Sequence, residues 1–481
     1  MFWRGVLGYL PANLVQAAVG LLTIVVFTRL LSPAEFGAYA LGFSVMSLTH
    51  TCLFTWNEAA MARFWAGEAD KGQAPAHLAT IYRLWMTLLP GLGLALGVVA
   101  VWPLNPAVKL AALAGLAMVL PKTLAKLAQE RRRAAGEVRG AVALDIGQSL
   151  GGFLVGAALA WAGLGGAAPL LGAGAATALC VAFATPREWR LFRGGAFESD
   201  RARKYAAYGV PVSLSLILAL VLSTTDRFLL AAFLDEAAVG VYHAGYSLAN
   251  RTLDVAFIWL GAAGGPALIM ALERGGPAAM RDAAREQGGF MLLVTLPAAV
   301  GLAMVAAPLA EVLVGPGLRA GAAHVTPWIA ASAFFSGLST YYFSQSFTLA
   351  RRTGRLMAAM AIPAAANIGL NLALIPHFGL DGALAATVAS YALGLAAFLV
   401  MGRGATAMPI PWRTLACAGA GAALMALAVS QVPAVGGIAE LILKAGAGAL
   451  VYGGVVWALD AGDLRSRAGQ AFSLLRARTA T

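Results

Sequence analysis

The sequence predicts an all-α polytopic membrane protein with about fourteen transmembrane helices: two pseudo-symmetric six-helix lobes and two C-terminal helices. Three observations lead there. Hydrophobic residues make up 60% of the chain and charged residues 12%, with a mean hydropathy of +0.77, whereas a soluble domain is roughly 25% charged. Apolar runs recur at the ~20-residue length that crosses a bilayer as a helix. Lysine and arginine concentrate in alternate connections between those runs.

The first span, 10–31, has only Arg4 before it, and no small-residue cleavage site precedes the next apolar run. It therefore reads as a retained helix, not a secretory signal. Spans at 36–61, 80–102, 106–126 and 141–162 follow, then 167–185, which is rich in glycine and alanine. The seventh and eighth, 207–233 and 237–270, carry ionisable side chains through apolar sequence. Next come 288–314, 325–349, 356–376 and 380–402, and finally 412–430 and 437–459. Cys52, Cys180 and Cys417 are isolated within apolar spans and read as packing residues, without disulfide or metal spacing.

With a cytoplasmic N-terminus, 28 of the 34 lysines and arginines fall on the inside. The exceptions are Arg29, Lys109, Arg227, Arg251, Arg319 and Lys444. A missed or invented helix would invert this bias downstream, and it never inverts, so both termini are expected in the cytoplasm. The net charge of +12 is spread by loop and not gathered on one face, which argues for membrane topology and against a nucleic-acid partner.

An internal repeat sets the architecture. LSPAEFGAYALGFS at 31–44 matches LDEAAVGVYHAGYS at 234–247 at a constant offset of 203, pairing Leu31 with Leu234, Gly37 with Gly240, Tyr39 with Tyr242, Gly42 with Gly245 and Ser44 with Ser247. Six spans separate the copies, so both run in the same direction and the repeat is parallel. The expected domains are an N-lobe over 1–185, a cytoplasmic inter-lobe loop at 186–206, a C-lobe over 207–402, and the last two helices with a basic tail over 403–481.

Polar stripes mark the candidate path. On the eighth span His243, Ser247, Asn250, Arg251 and Asp254 share about a 100° arc, and on the seventh Ser213, Ser223, Thr224 and Arg227 share a face. The second span carries Ser44, Ser47, Thr51, Thr55 and Glu58, and the first Asn13, Gln16, Gly20 and Thr23. Farther on lie Tyr341, Ser344, Gln345 and Thr348, then Asn367 and Asn371 at i, i+4. A charge at bilayer depth costs roughly 3 kcal/mol on insertion scales, so Arg227, Arg251 and Asp254 imply a partner or a watery cavity. The structural alternatives are an Arg251–Asp254 pair at i, i+3 that locks packing, and Ser/Thr/Gly stripes that act only as helix contacts.

TRLLSPAEFGAYALG (28–42), KYAAYGVPVSLS (204–215), TTDRFLLAAFL (224–234) and NIGLNLALIPHFGLDGALAATVASY (367–391) together resemble the polysaccharide flippases, the Wzx-type branch of the multidrug/oligosaccharidyl-lipid/polysaccharide (MOP) exporter superfamily. The resemblance runs through the first twelve spans. It implies a V-shaped pair of six-helix bundles with a cleft lined by helices 1, 2, 7 and 8, and movement of an undecaprenyl-diphosphate-linked oligosaccharide to the outer leaflet of a bacterial inner membrane. The family cleft is typically basic. Arg227 and Arg251 fit that character, Arg29 matches the TRLLSP turn, and Asp226 of the TTDRF run reads first as a structural partner. The expected substrate contacts are Arg227, Arg251, Asn250, Asp254 and Arg29, with Asn13, Gln16, Ser44, Ser47, Thr51, Glu58, Thr224, His243, Ser247, Gln345 and Asn367 lining the path.

No GxxxxGK[ST] loop, HExxH or paired cysteine is present, and His50, His77, His243, His324 and His377 are scattered, so no enzyme chemistry, metal or cofactor is expected. With no nucleotide site, the work is expected from an ion gradient (proton or sodium), the membrane potential or downstream consumption of the product. Two rivals stand beside the flippase. A drug/cation antiporter would place unpaired acids in the path, and here Asp254 has Arg251 beside it while Glu58 lies near Arg63. A membrane-embedded polysaccharide polymerase or ligase would carry a large periplasmic loop, and the outside loops here are short.

Overall fold

The computed structural model describes residues 2–463 and 465. Among these residues the regular structure is helical throughout, with no strand. α1 is Phe2–Leu30. α2 runs as Pro33–Leu53 and, beyond a bend at Phe54, as Thr55–Asp70. α3 (Ala74–Val101), α4 (Pro106–Ala134), α5 (Val138–Trp161), α6 (Ala168–Phe192) and α7 (Ser199–Phe233) follow.

The continuous run Glu236–Met304 is two helices, α8 and α9, divided where Gly276 adopts φ 70°. α9 continues as Ala306–Leu313. α10 is Arg319–Leu338, extended through a π-turn at Ser339–Phe343 into Gln345–Leu349. Thr353–Arg403 likewise divides into α11 and α12 at Gly379, φ 55°. Positive φ at both breaks is a conformation that a side chain would strain and glycine tolerates. α13 (Trp412–Ser430) and α14 (Gly437–Ala458) complete the fourteen.

Ten of the uninterrupted helical runs are long and apolar enough to cross a membrane. Two of those runs hold two helices each. The remaining pair, α2 and α10, is long enough in its uninterrupted parts Pro33–Leu53 and Arg319–Leu338 but less apolar, because polar residues such as Ser44, Ser47, Thr51, His324 and Thr326 lie within them.

Local chemistry starts the helices where the repeat begins. Ser32 and Glu35 form a reciprocal capping box ahead of Pro33, satisfying backbone N–H groups that a helix start leaves open. At the second copy, Oδ1 of Asp235 accepts from the N–H of Ala238 at 2.7 Å.

The chain forms two compact units, one ending at His243 and one beginning at Ala244. In the first, α5 packs on α1 and α6, α4 on α2 and α6, and the second half of α2 on α7. In the second, α13 packs on α14, α10 on the α11–α12 run, and the end of α9 on both α10 and α14. The 186–206 segment lies within the first unit. Most of that segment is helical, because α6 extends to Phe192 and α7 starts at Ser199.

Candidate functional site

In the first unit the polar stripes of α2 and α7 meet along an antiparallel helix pair. A Cβ at Gly209 would lie 2.1 Å from the carbonyl oxygen of Trp56, so only glycine permits this approach. One turn on, Oγ of Ser213 donates to the carbonyl of Thr51 at 2.7 Å. Farther along α7, Nη1 of Arg227 donates to Oγ of Ser44 at 3.3 Å, and Ser44 donates to its own-helix Ala40 carbonyl at 2.8 Å. Arg227 is 5% exposed and Ser44 fully buried. Thr224, also buried, returns its hydroxyl to Leu220 at 2.7 Å.

Asp226 and Arg227 are neighbours of opposite charge, yet adjacent helical positions point about 100° apart and reach different partners. The buried Asp226 carboxylate accepts from the Tyr242 hydroxyl at 2.6 Å. The His243 ring lies 5.4 Å from Phe36 and 6.0 Å from Tyr39, centre to centre.

Lower on α2, Glu58 is buried and pairs with His50 at 2.8 Å, not with Arg63, whose guanidinium lies over Phe64. Ser47 and Thr51 are half-buried, while Asn13, Gln16 and Arg29 are exposed. Nη1 of Arg29 donates to the Val25 carbonyl at 2.7 Å, satisfying one carbonyl of the last turn of α1.

In the second unit, Nδ2 of Asn250 donates to Oδ2 of Asp254 at 2.6 Å. Arg251 is exposed, and among the described residues it forms no ion pair with Asp254. Ser247 is buried on the same helix. Gln345 is half-buried and donates to the Tyr341 carbonyl at 2.6 Å. Asn367 is fully buried, and its backbone carbonyl accepts from Nδ2 of Asn371 at 2.8 Å. The structure thus joins Arg227 to Ser44 and Asn250 to Asp254, and leaves Arg251 apart from Asp254.

Sequence reasoning missed a buried ionic cluster, because it read these arginines as loop charges. Arg131 (1% exposed) donates to Glu188 at 2.6 and 2.9 Å and to Glu137 at 3.0 Å. Asp145 takes Gln129 at 2.6 Å and Arg133 at 3.0 Å. Arg201 reaches Glu68 at 2.6 Å, Glu198 at 3.0 Å and the side-chain oxygen of Gln73. The buried ring of His77 bonds the Tyr205 hydroxyl. The available signal was the set of acids, Glu68, Glu137, Asp145 and Glu188, accompanying the arginines. The cysteines also differ from expectation: Cys52 is exposed and the other two are half-buried.

Among the described residues no three His, Cys, Asp or Glu side chains gather where a metal could be held. What the α2–α7 pair offers is a buried permanent cation beside a hydroxyl, a donor arrangement suited to an oxyanion and not to covalent catalysis.

A solved structure entitled lipid II flippase MurJ, inward closed conformation, superposes with a TM-score of 0.74 at 13% identity, covering 93% of this chain and 98% of that one. An inward-facing MATE multidrug resistance transporter of the MOP superfamily gives 0.63 at 15% identity, covering 82% and 94%. The chain shares the fold of these two structures. An outward-facing MATE transporter gives 0.57 at 14% identity, covering 83% and 95%. The family model described as polysaccharide biosynthesis protein matches residues 84–317, from α3 through the loop after α9. A comparison with curated protein sequences finds no match. Within this fold the α2–α7 polar contact joins Ser44 of α2 to Arg227 of α7 in the first unit.

Proposed function

We propose that the chain is a Wzx-type flippase, moving an undecaprenyl-diphosphate-linked oligosaccharide from the inner to the outer leaflet of a bacterial inner membrane. The observation that carries this reading is Arg227, a guanidinium buried within the apolar helix α7 with a donor on the Ser44 hydroxyl. A diphosphate needs cationic donors, and arginine stays charged when partly desolvated and offers paired hydrogen bonds to phosphate oxygens. The polysaccharide-biosynthesis family match and the likeness to a lipid II flippase support the same class of substrate.

The mechanism is alternating access, in which the polar path opens first to one side and then to the other. The glycan travels in the wet path while the polyprenyl tail stays in lipid. Both termini lie in the cytoplasm on the loop charges. An ion gradient, the membrane potential or downstream consumption of the product supplies the work.

Asp254 supports a second reading, a drug/cation antiporter, because its partner is the amide of Asn250 and not an arginine. Depletion of the protein in its native host separates the two. Accumulation of a diphosphate-linked oligosaccharide on the inner leaflet is the expected result. Unchanged lipid-linked intermediates together with raised drug sensitivity would replace the flippase with the antiporter.

A further inference from the structure

An exposed apolar stripe on α12 runs into a group of arginines that meets no acid. Leu393, Ala396, Val400 and Arg403 recur at i, i+3, i+7 and i+10, so they share one face of the helix, and all four are exposed. On a helix this apolar, such a face is turned toward lipid. Just past Arg403, the Gly404 carbonyl accepts from Nη1 of Arg352 at 2.5 Å and from Nη1 of Arg355 at 2.9 Å. The two nitrogens therefore lie no more than 5.4 Å apart, the sum of those two bonds. A Cβ at Gly404 would come within 2.9 Å of Arg355 Nη1, so glycine there leaves room for both guanidiniums. Arg351 completes the group from a left-handed turn, φ 55°, that carries the chain from α10 into α11. Arg351, Arg352 and Arg355 are exposed, as Arg403 is.

We propose that these arginines bind the phosphate of an anionic phospholipid whose acyl chains lie along the Leu393, Ala396 and Val400 stripe. Among the described residues no carboxylate pairs with Arg351, Arg352, Arg355 or Arg403, whereas Arg131, Arg133 and Arg201 all turn onto acids. One guanidinium would satisfy the Gly404 carbonyl. The second brings like charges together, and an anion from outside the chain offsets that repulsion. Each guanidinium has five N–H groups and the carbonyl takes one from each, which leaves donors in the paired geometry that phosphate oxygens accept. Membrane topology asks only that arginines stand on one side, not that two of them share an acceptor. The apolar stripe selects a lipid over a free anion, because head group and chains then meet one continuous surface. Loop charge assigns this end of α12 to the cytoplasmic side, the leaflet whose surface is made negative by anionic lipids.

The site lies wholly within the second unit and does not depend on the substrate proposed above. Its test is a lipid titration of the full-length protein in a neutral detergent, read as melting temperature. Phosphatidylglycerol, phosphatidylcholine with the same chains, and inorganic phosphate are added in separate series. Phosphatidylglycerol should raise the melting temperature to a plateau, and the other two should leave it unchanged. In the double variant Arg352→Gln with Arg355→Gln, the phosphatidylglycerol concentration that gives half the rise should increase about tenfold or more. Arg83→Gln with Arg281→Gln removes the same charge from other exposed positions and should keep the wild-type titration. Equal titrations for the wild type and the Arg352/Arg355 variant would overturn the site, as would an equal rise with phosphatidylcholine. The same rise with inorganic phosphate would overturn the lipid assignment and leave a free-anion site. If the double variant does not fold, wild-type protein decides. Phosphatidylglycerol with a photoreactive group in one chain should label residues 393–404 more heavily than the matching phosphatidylcholine probe, and equal labelling overturns the proposal.

Discussion

Nη1 of Arg227 donates to Oγ of Ser44 at 3.3 Å, joining residues 183 positions apart on the polar faces of α7 and α2. Because the contact is buried, its two ends should respond differently to substitution. Arg227→Ala should abolish surface polysaccharide while the protein stays abundant in the membrane. Arg227→Lys should retain part of the activity, since charge survives and the paired donor geometry is lost. Ser44→Ala should keep most activity and cost about 1–3 kcal/mol of stability, read by unfolding in detergent. Wild-type polysaccharide from Arg227→Ala would remove the guanidinium from substrate binding.

Arg251 and Asp254 should behave independently, because the Asp254 carboxylate is held by Asn250 at 2.6 Å. Arg251→Ala is expected to lower delivery, and the double change with Asp254→Ala should not restore it. Surface polysaccharide normalised to inserted protein for both single variants and the double variant checks this. Full recovery in the double variant would mean that the arginine serves only to neutralise the acid.

Glu188 should be a stability residue. Glu188→Ala leaves the guanidiniums of Arg131 and Arg132 without their shared carboxylate in a buried setting, a loss of about 3–5 kcal/mol. The exposed Asp200–Arg203 pair provides the control, and Asp200→Ala should change stability by less than about 0.5 kcal/mol. Melting temperatures in detergent compare them, and equal effects would contradict a buried network.

Gly209 and Gly97 separate close approach from helix propensity. Gly209→Ala drives a methyl group into the Trp56 carbonyl and should reduce inserted protein or its melting temperature. Gly97 has nothing within 4 Å of the added carbon, so Gly97→Ala should be neutral or gain about 0.5–1 kcal/mol. Thermal unfolding of the two variants side by side is sufficient.

Topology follows from the loop charges, and compartment-sensitive reporters test it. Fusions after Arg133 and after Gly321 should report opposite sides, the first cytoplasmic and the second external. Both reporters on one side would revise the helix count between them.

Hydropathy, span length and loop charge are local properties, legible residue by residue, so the sequence by itself established a fourteen-helix, multi-pass protein with a duplicated half. It also marked Arg227 and Ser44 as members of polar faces, since 100° per residue is the same in any α-helix. Three things were decided only by tertiary structure. Asp254 took Asn250 as its partner and Glu58 took His50, because several neighbours lie within reach along one helix and rotamer and packing choose among them. Arg131 and Arg201 turned inward onto Glu188 and Glu68, because a loop-charge count records the side of the membrane on which an arginine lies and not whether an acid waits beneath it. Gly37 and Gly240 appeared in the sequence as a matched pair 203 residues apart, but only the crossing of α2 and α8 brings the two backbones close enough that neither position has room for a methyl group.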